Sequence, residues 1–255
     1  MAKPLYDRIG TTYTVTRRPD PRIERSIWDA LGDAATVLNV GAGPGHYEPT
    51  DREVVAVEPS AVMIAQRPEG AARVVEAQAE RLPFADGSFD AVMAVLSDHH
   101  WQDRRQGLSE LRRVARRRVV LFNADPAEAN RLWLTTEYLP EFLEVIKPAY
   151  RQPGYWEHEL GSILGGVRIE EVPIPHDCAD GFYGAFWRRP RAYLDPRVRA
   201  GISVFAQLDP GHVGRGMAAL EADLRSGEWD RRHRELLALE ALPLGYYVVV
   251  AESEN

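Results

Sequence analysis

The stretch Val37-Leu-Asn-Val-Gly41-Ala-Gly43-Pro-Gly45-His-Tyr-Glu-Pro49 constrains this chain most, because an apolar strand runs straight into three glycines at alternate positions. Glycine has no Cβ, so the backbone there can turn tightly, take positive φ and let a ligand lie against the main chain. A turn of this kind also presents backbone N–H groups to a ligand. Taken alone, the pattern fits a dinucleotide turn or an ordinary loop equally well. A second apolar run, Glu53-Val-Val-Ala-Val57, ends on Glu58-Pro59-Ser60. A carboxylate at that strand tip can accept from both vicinal hydroxyls of a ribose; the alternative is an exposed strand-end acid. Next come Ala77-Gln78-Ala79-Glu80-Arg81-Leu82-Pro83-Phe84 and Asp86-Gly-Ser-Phe-Asp90, feeding the nearly continuous apolar run Ala91 to Leu96. Such a run reads as a strand buried on both faces of a parallel sheet.

The rest of the chain extends the alternation. Ile23, Ile27, Trp28 and Leu31 share one face of a helix over about 21–31, with Pro21 at its start. Strands are expected near 36–41, 53–57, 72–76, 88–96 and 117–123, with helices between the first pairs and over about 101–115. That order predicts a doubly wound α/β fold with right-handed crossovers. On the last helix Leu108, Leu111, Val114 and Ala115 face the sheet. Arg112, Arg113, Arg116, Arg117 and Arg118 then point outward, as a solvated face or a contact for an anion. Residues 126–165, with Trp133, Tyr138, Phe142, Tyr150, Tyr155 and Trp156, read as an aromatic-rich insertion. An edge strand over 167–175, helical patterns over 196–206 and 213–225, and a strand over 245–251 complete the chain. The expected organisation is a single domain, 1–255, with a core over 1–125 and lid or acceptor-binding insertions over 126–165 and 180–240.

Composition excludes several classes. With 255 residues, 45% of them hydrophobic, the chain can bury a full core. A formal charge of -7 gives no global attraction to nucleic acid or to an anionic membrane. The single cysteine, Cys178, allows no internal disulfide and no cysteine metal cluster, and is expected as a free, buried thiol. Lysine occurs only at Lys3 and Lys147. The opening Met1 to Arg8 lacks an apolar core of signal-peptide length, and no run reaches about 18 apolar residues, so a cytoplasmic protein is expected.

The ordered segments VLNVGAGPG, VVAVEPSAVM, AQAERLPFADGSFDAV and LSDHHWQD resemble the class I S-adenosylmethionine-dependent methyltransferases, in particular the group similar to ubiquinone and menaquinone C-methyltransferases. A nicotinamide oxidoreductase would share the glycine turn and the later acid but not the AERLPFADGSFD segment. The resemblance implies a Rossmann-like, mostly parallel seven-stranded sheet with an antiparallel C-terminal hairpin and a helical lid insertion. It implies S-adenosylmethionine as cofactor, with Gly41, Ala42, Gly43 and Gly45 along its amino-acid end. Glu58 would meet the ribose, Met63 a face of the adenine, and Gln78 with Ala79 the adenine edge, with Pro59 and Glu80 also counted among the cofactor-binding residues. Ser97 follows the fourth strand, and Tyr13, with Tyr6, would close over the cofactor or serve only as packed aromatics. Asn39 stands where the family usually has Asp, and Gln78 where Asp often meets the adenine amino group. The usual proline-glycine turn before the fifth strand is missing between Arg113 and Val119.

The implied reaction is an in-line displacement that moves a methyl group to an O, N or C atom of a small-molecule acceptor. In Ser97-Asp98-His99-His100-Trp101, a histidine is placed to take the acceptor's proton, with His100 preferred to His99. The alternative is one histidine packed under the cofactor and the other capping a helix. Asp98, His99 and His100 have no further partner at ligand spacing, so no metal is assigned. His176, Asp177, Phe182, Tyr183 and Trp187 are candidates for the acceptor pocket or for lid packing. His46, His158, His212 and His233 are expected as surface or helix residues without a role. A second class is a cofactor-binding protein without methyl transfer, such as a sensor, a scaffold or a cyclase, motivated by Asn39 and Gln78. A nucleic-acid methyltransferase lacks support, since no Asn-Pro-Pro-Tyr type motif occurs. The sequence does not specify an oligomeric state.

Overall fold

The structure is a computed structural model that describes residues 5–253; Met1 to Pro4, read above for a leader, lie outside the described residues. Strand periodicity sets the layering. In β1 (Thr36–Val40), Val37 enters the core on one face of the sheet while Leu38 and Val40 enter the core on the other. The other strands are β2 (Glu53–Val57), β3 (Arg73–Val75), β4 (Phe89–Val95), β5 (Ala115–Ala124), β6 (Val167–Glu171), β7 (Ile174–Pro175), β8 (Ala241–Leu242) and β9 (Tyr246–Glu252). Seven of them form one sheet in the order β3-β2-β1-β4-β5-β9-β6. β1 to β5 run parallel, and β9 inserts antiparallel between β5 and β6. The late antiparallel pair is therefore as expected. β7 and β8 form a separate two-stranded ribbon, because the 167–175 run breaks after Glu171. Strand order reverses between β1 and β4, so the carboxyl ends of these two strands bound the crevice where such sheets hold ligands.

The two long core helices form where their caps and apolar faces predict. Asp20 caps the helix Pro21–Leu31 by accepting from the Arg22 N–H, and Ile23, Ile27 and Leu31 are fully buried. Asp103 caps Arg104–Val114 in the same way through the Gln106 N–H. That helix passes directly into β5 at Ala115, without the usual turn. Arg116, Arg117 and Arg118 thus lie on β5 rather than on a helix face. They pair with Asp90, Asp33 and Glu252, while Arg113 pairs with Glu110 and Asp86.

Two expected helices do not form as such. Between β1 and β2 the chain makes turns only, since Gly41, Gly43, Gly45 and Tyr47 all take positive φ and Pro44 and Pro49 interrupt any ladder. Between β2 and β3 the helix is a single turn, Ala61–Ile64.

Of the 126–165 insertion, the helix Tyr155–Leu164 packs Trp156, Leu160 and Leu164 into the core of the sheet, as a crossover helix does. The remainder, with residues 182–244, adds aromatic side chains to the core that Ile23, Val37 and Phe122 share on the other face of the sheet. Trp133 makes edge contacts with Tyr138, Tyr193 and Trp229. Among the described residues, no helix is long and apolar enough to cross a membrane.

Candidate functional site

Two cavities meet at the carboxyl ends of β1 and β4. The smaller, about 140 Å³, lies over the glycine turn and reaches from Asn39 and His46 to Glu58, Met63 and Gln78. The larger, about 320 Å³, lies beneath the two insertions and is walled mostly by apolar and aromatic side chains. Tyr6, Arg17, Leu96 and Trp101 line both. Leu96 holds φ +48° directly after β4, a strained conformation for a branched side chain at the junction.

The glycine turn contributes room rather than donors. The N–H groups of Gly41 and Ala42 both go to the Val57 carbonyl, at 2.9 and 3.0 Å. Gly43 donates to Glu58 Oε2 at 2.8 Å, Gly45 to the Ala42 carbonyl at 3.0 Å, and Pro44 has no N–H. The expectation that this turn offers its amides to a ligand therefore fails from Gly41 to Gly45. Its glycines instead permit a tight fold: Gly41 takes φ +70°, and a Cβ there would lie 2.6 Å from Ser97 Cβ. Ser97 in turn donates to the Val40 carbonyl and lines the smaller cavity. Gly45 is the one cofactor candidate outside the lining, where it packs against the Arg67–Glu48 pair.

Glu58 is buried, not exposed. Its Oε1 accepts from the Ser60 N–H at 2.9 Å and its Oε2 from Gly43, leaving each oxygen a second lone pair, and Glu58 lines the smaller cavity. Burial raises its pKa, and the two N–H donors and Arg67 oppose the rise. Pro59, Met63, Gln78, Ala79, Glu80, Ala42, Gly41 and Gly43 line the same cavity, as does Tyr13. Asn39 donates from Nδ2 to Glu48, and its Oδ1 is buried without a partner.

His46 was expected as a surface or helix residue without a role. It instead lines the smaller cavity, stacked on Tyr13 with centroids 6.0 Å apart, and its Nδ1 is buried and unpartnered. Burial holds its pKa down to about 4. His233 is also drawn inward, against Trp133 and Trp229. The signal missed for His46 is its place directly after the glycines, where any side chain follows the turn into the crevice.

The histidine pair divides between the cavities. His100 lines the smaller one and shares a hydrogen bond between its Nε2 and the Tyr6 hydroxyl at 3.2 Å. His99 keeps open surface, but that surface faces the larger cavity with protein packed around it. Burial depresses both pKa values, so both rings are neutral near pH 7. Asp98 is not a free acid: Arg104 Nε donates to it at 2.9 Å and the Asn123 amide also bonds it. Of the late candidates, Phe182 and Tyr183 line the larger cavity. His176 pairs with Glu240, Asp177 with Arg22, and Trp187 is fully buried in the core, so these three lie elsewhere. Cys178 is a buried free thiol whose pKa burial pushes up to about 12.

Arg17 was missed altogether. It is buried at the junction, bonded through Nε and Nη2 to the fully buried Asp180 at 2.5 and 3.1 Å, with its guanidinium 4.8 Å from the centre of the Tyr13 ring.

Residues 38–122 match the family described as Methyltransferase domain. A putative methyltransferase from an antibiotic biosynthesis pathway of Anabaena variabilis is 34% identical in its crystal structure. The match covers 92% of this chain and 98% of that one, with a TM-score of 0.83. The demethylmenaquinone methyltransferase of Beutenbergia cavernae is 33% identical over 163 residues, 57% of this chain and 67% of that protein. The uncharacterized protein YafE of Escherichia coli is 38% identical over 125 residues, 46% of this chain. That match spans 57% of YafE, so the curated similarity there is to little more than half of the relative. With the glycine turn, Glu58 and the sheet order on one crevice, and a relative alike over nearly its whole length, the chain belongs to the class I S-adenosylmethionine-dependent methyltransferases.

Proposed function

We propose that this protein transfers a methyl group from S-adenosylmethionine, held in the smaller cavity, to a small, largely apolar acceptor in the larger one. The observation that carries this reading is that two cavities share a wall at the switch point, one bounded by Glu58 and the glycine turn, the other mostly apolar. The residues present suit the cofactor. Glu58 retains acceptors for a pair of hydroxyls, Asn39 Oδ1 is an orphaned acceptor, and positive-φ glycines clear the floor. When bound, S-adenosylmethionine supplies a methyl group already activated on a sulfonium. The chain's part is then to align, to exclude water and to accept a proton. Tyr6 and Tyr13 roof the donor side, and the insertions enclose the acceptor side.

His99, neutral and facing the larger cavity, is the group we assign to take the acceptor's proton, with His100 held behind it by Tyr6. Whether the acceptor atom is O, N or C does not alter that arrangement. The alternative of cofactor binding without transfer has in its favour only Asn39 and Gln78, and the second cavity weighs against it.

Calorimetry with S-adenosylhomocysteine, followed by detection of that product from S-adenosylmethionine across an acceptor panel, tests the proposal. Binding should be clear, and no heat at about 1 mM ligand, a free energy of about −4 kcal/mol, would sink it. His99→Gln should bind S-adenosylhomocysteine like the wild type and turn over the accepted compound at least about a hundredfold more slowly. Unchanged turnover removes His99 as the base. Tight binding with no product formed from any acceptor favours the sensor or scaffold alternative.

A further inference from the structure

An α-amino acid end is a zwitterion, and its carboxylate needs N–H or O–H donors when it leaves water. The glycine turn does not supply them, because the amides of Gly41, Ala42, Gly43 and Gly45 are all spent within the chain. Side chains that line the same cavity are then candidate donors, and the cationic one is Arg17. Asp180 already takes two of its nitrogens, so Arg17 provides charge but only part of its hydrogen-bonding capacity.

His46 supplies what is lacking. Its Nδ1 is closed off and has no partner, an arrangement that costs stability as long as it stands. The surface His46 gives to the cavity therefore comes from the rest of the ring. Nε2 is the polar atom of that remainder: it is not closed off and bonds no described residue, so with its proton there the ring presents an N–H without disturbing the stack on Tyr13. We infer that His46 is a binding residue for the carboxylate of the methyl donor, donating a hydrogen bond from its Nε2–H beside the Arg17 charge. This rests on the methyl-donor reading above. Because burial keeps the His46 pKa near about 4, the ring is neutral and carries one N–H at physiological pH.

Two ligands separate this role from mere pocket shape: S-adenosylhomocysteine, which has the amino-acid end, and 5′-deoxy-5′-methylthioadenosine, which lacks it. His46→Phe keeps a ring against Tyr13 and removes the donor, whereas His46→Gln places an amide N–H about where Nε2 stands. By calorimetry, His46→Phe should weaken S-adenosylhomocysteine about tenfold or more and change methylthioadenosine by no more than about twofold. His46→Gln should recover most of the loss. Equal losses for both ligands, or no loss for S-adenosylhomocysteine, overturn the inference while leaving the donor site intact. A wild-type protein that binds neither ligand overturns the methyl-donor reading itself, and this inference with it.

Discussion

At the scale of single residues, Glu58 carries the most chemistry for its size. Burial lifts its pKa above the ordinary 4.5, yet both its oxygens already accept from backbone amides, which fixes the carboxylate's orientation. Hydroxyl donors from a ribose favour the ionised form, so ligand binding and deprotonation of Glu58 are linked. The sign follows: affinity for S-adenosylhomocysteine is full where Glu58 is ionised and falls as the pH drops through its raised pKa. Calorimetry from pH 8 downward should show a plateau and then a decline beginning above the range of an ordinary glutamate. Glu58→Gln, having no charge to lose, should bind about tenfold or more weakly at neutral pH and show no such decline. A wild-type profile that matches the variant's would remove the ribose role from Glu58.

At the scale of elements, the sequence was most legible where one local signal acts alone. The helix Pro21–Leu31 and the strand Glu53–Val57 have the expected bounds, because a proline start, a 3.6-residue apolar face and a short apolar run are local. The region after β1 was misread as leading into a helix, although its glycines and prolines are what the site needs. Bonds between distant segments leave no trace in spacing. Arg17 and Asp180 stand 163 residues apart, yet their pair joins the N-terminal segment to the second insertion, with the Tyr47 hydroxyl donating to the same carboxylate at 2.9 Å. The consumed turn amides were hidden for the same reason, since each depends on what packs opposite. Breaking a fully buried pair leaves an uncompensated cation, so Asp180→Ala should lose about 3–5 kcal/mol of unfolding free energy in urea. Asp177→Ala, which breaks an exposed ion pair to Arg22, should change it by no more than about 1 kcal/mol. Similar losses from the two would mean that the Arg17–Asp180 tie contributes nothing beyond an exposed contact.

For the whole molecule, the reversal of strand order puts two cavities side by side, and the segment 5–17 then covers both through Tyr6 and Arg17. Both cavities also open to solvent, so the segment forms one wall of each rather than a seal. A bound donor that touches Tyr6 and Tyr13 should hold the segment in place, a closure coupled to binding. Arg8 reports on that closure: it is exposed, but it sits in the helical turn Tyr6–Ile9, which must open before a protease can seat the chain. If lifting the segment requires loss of the ligand, S-adenosylhomocysteine at a hundred times its dissociation constant should slow tryptic cleavage after Arg8 by about a hundredfold. Methylthioadenosine at the same saturation should slow it equally, because the roof closes over the nucleoside as well as the amino-acid end. Cleavage that proceeds at one rate with and without either ligand would mean that the segment opens independently of the site.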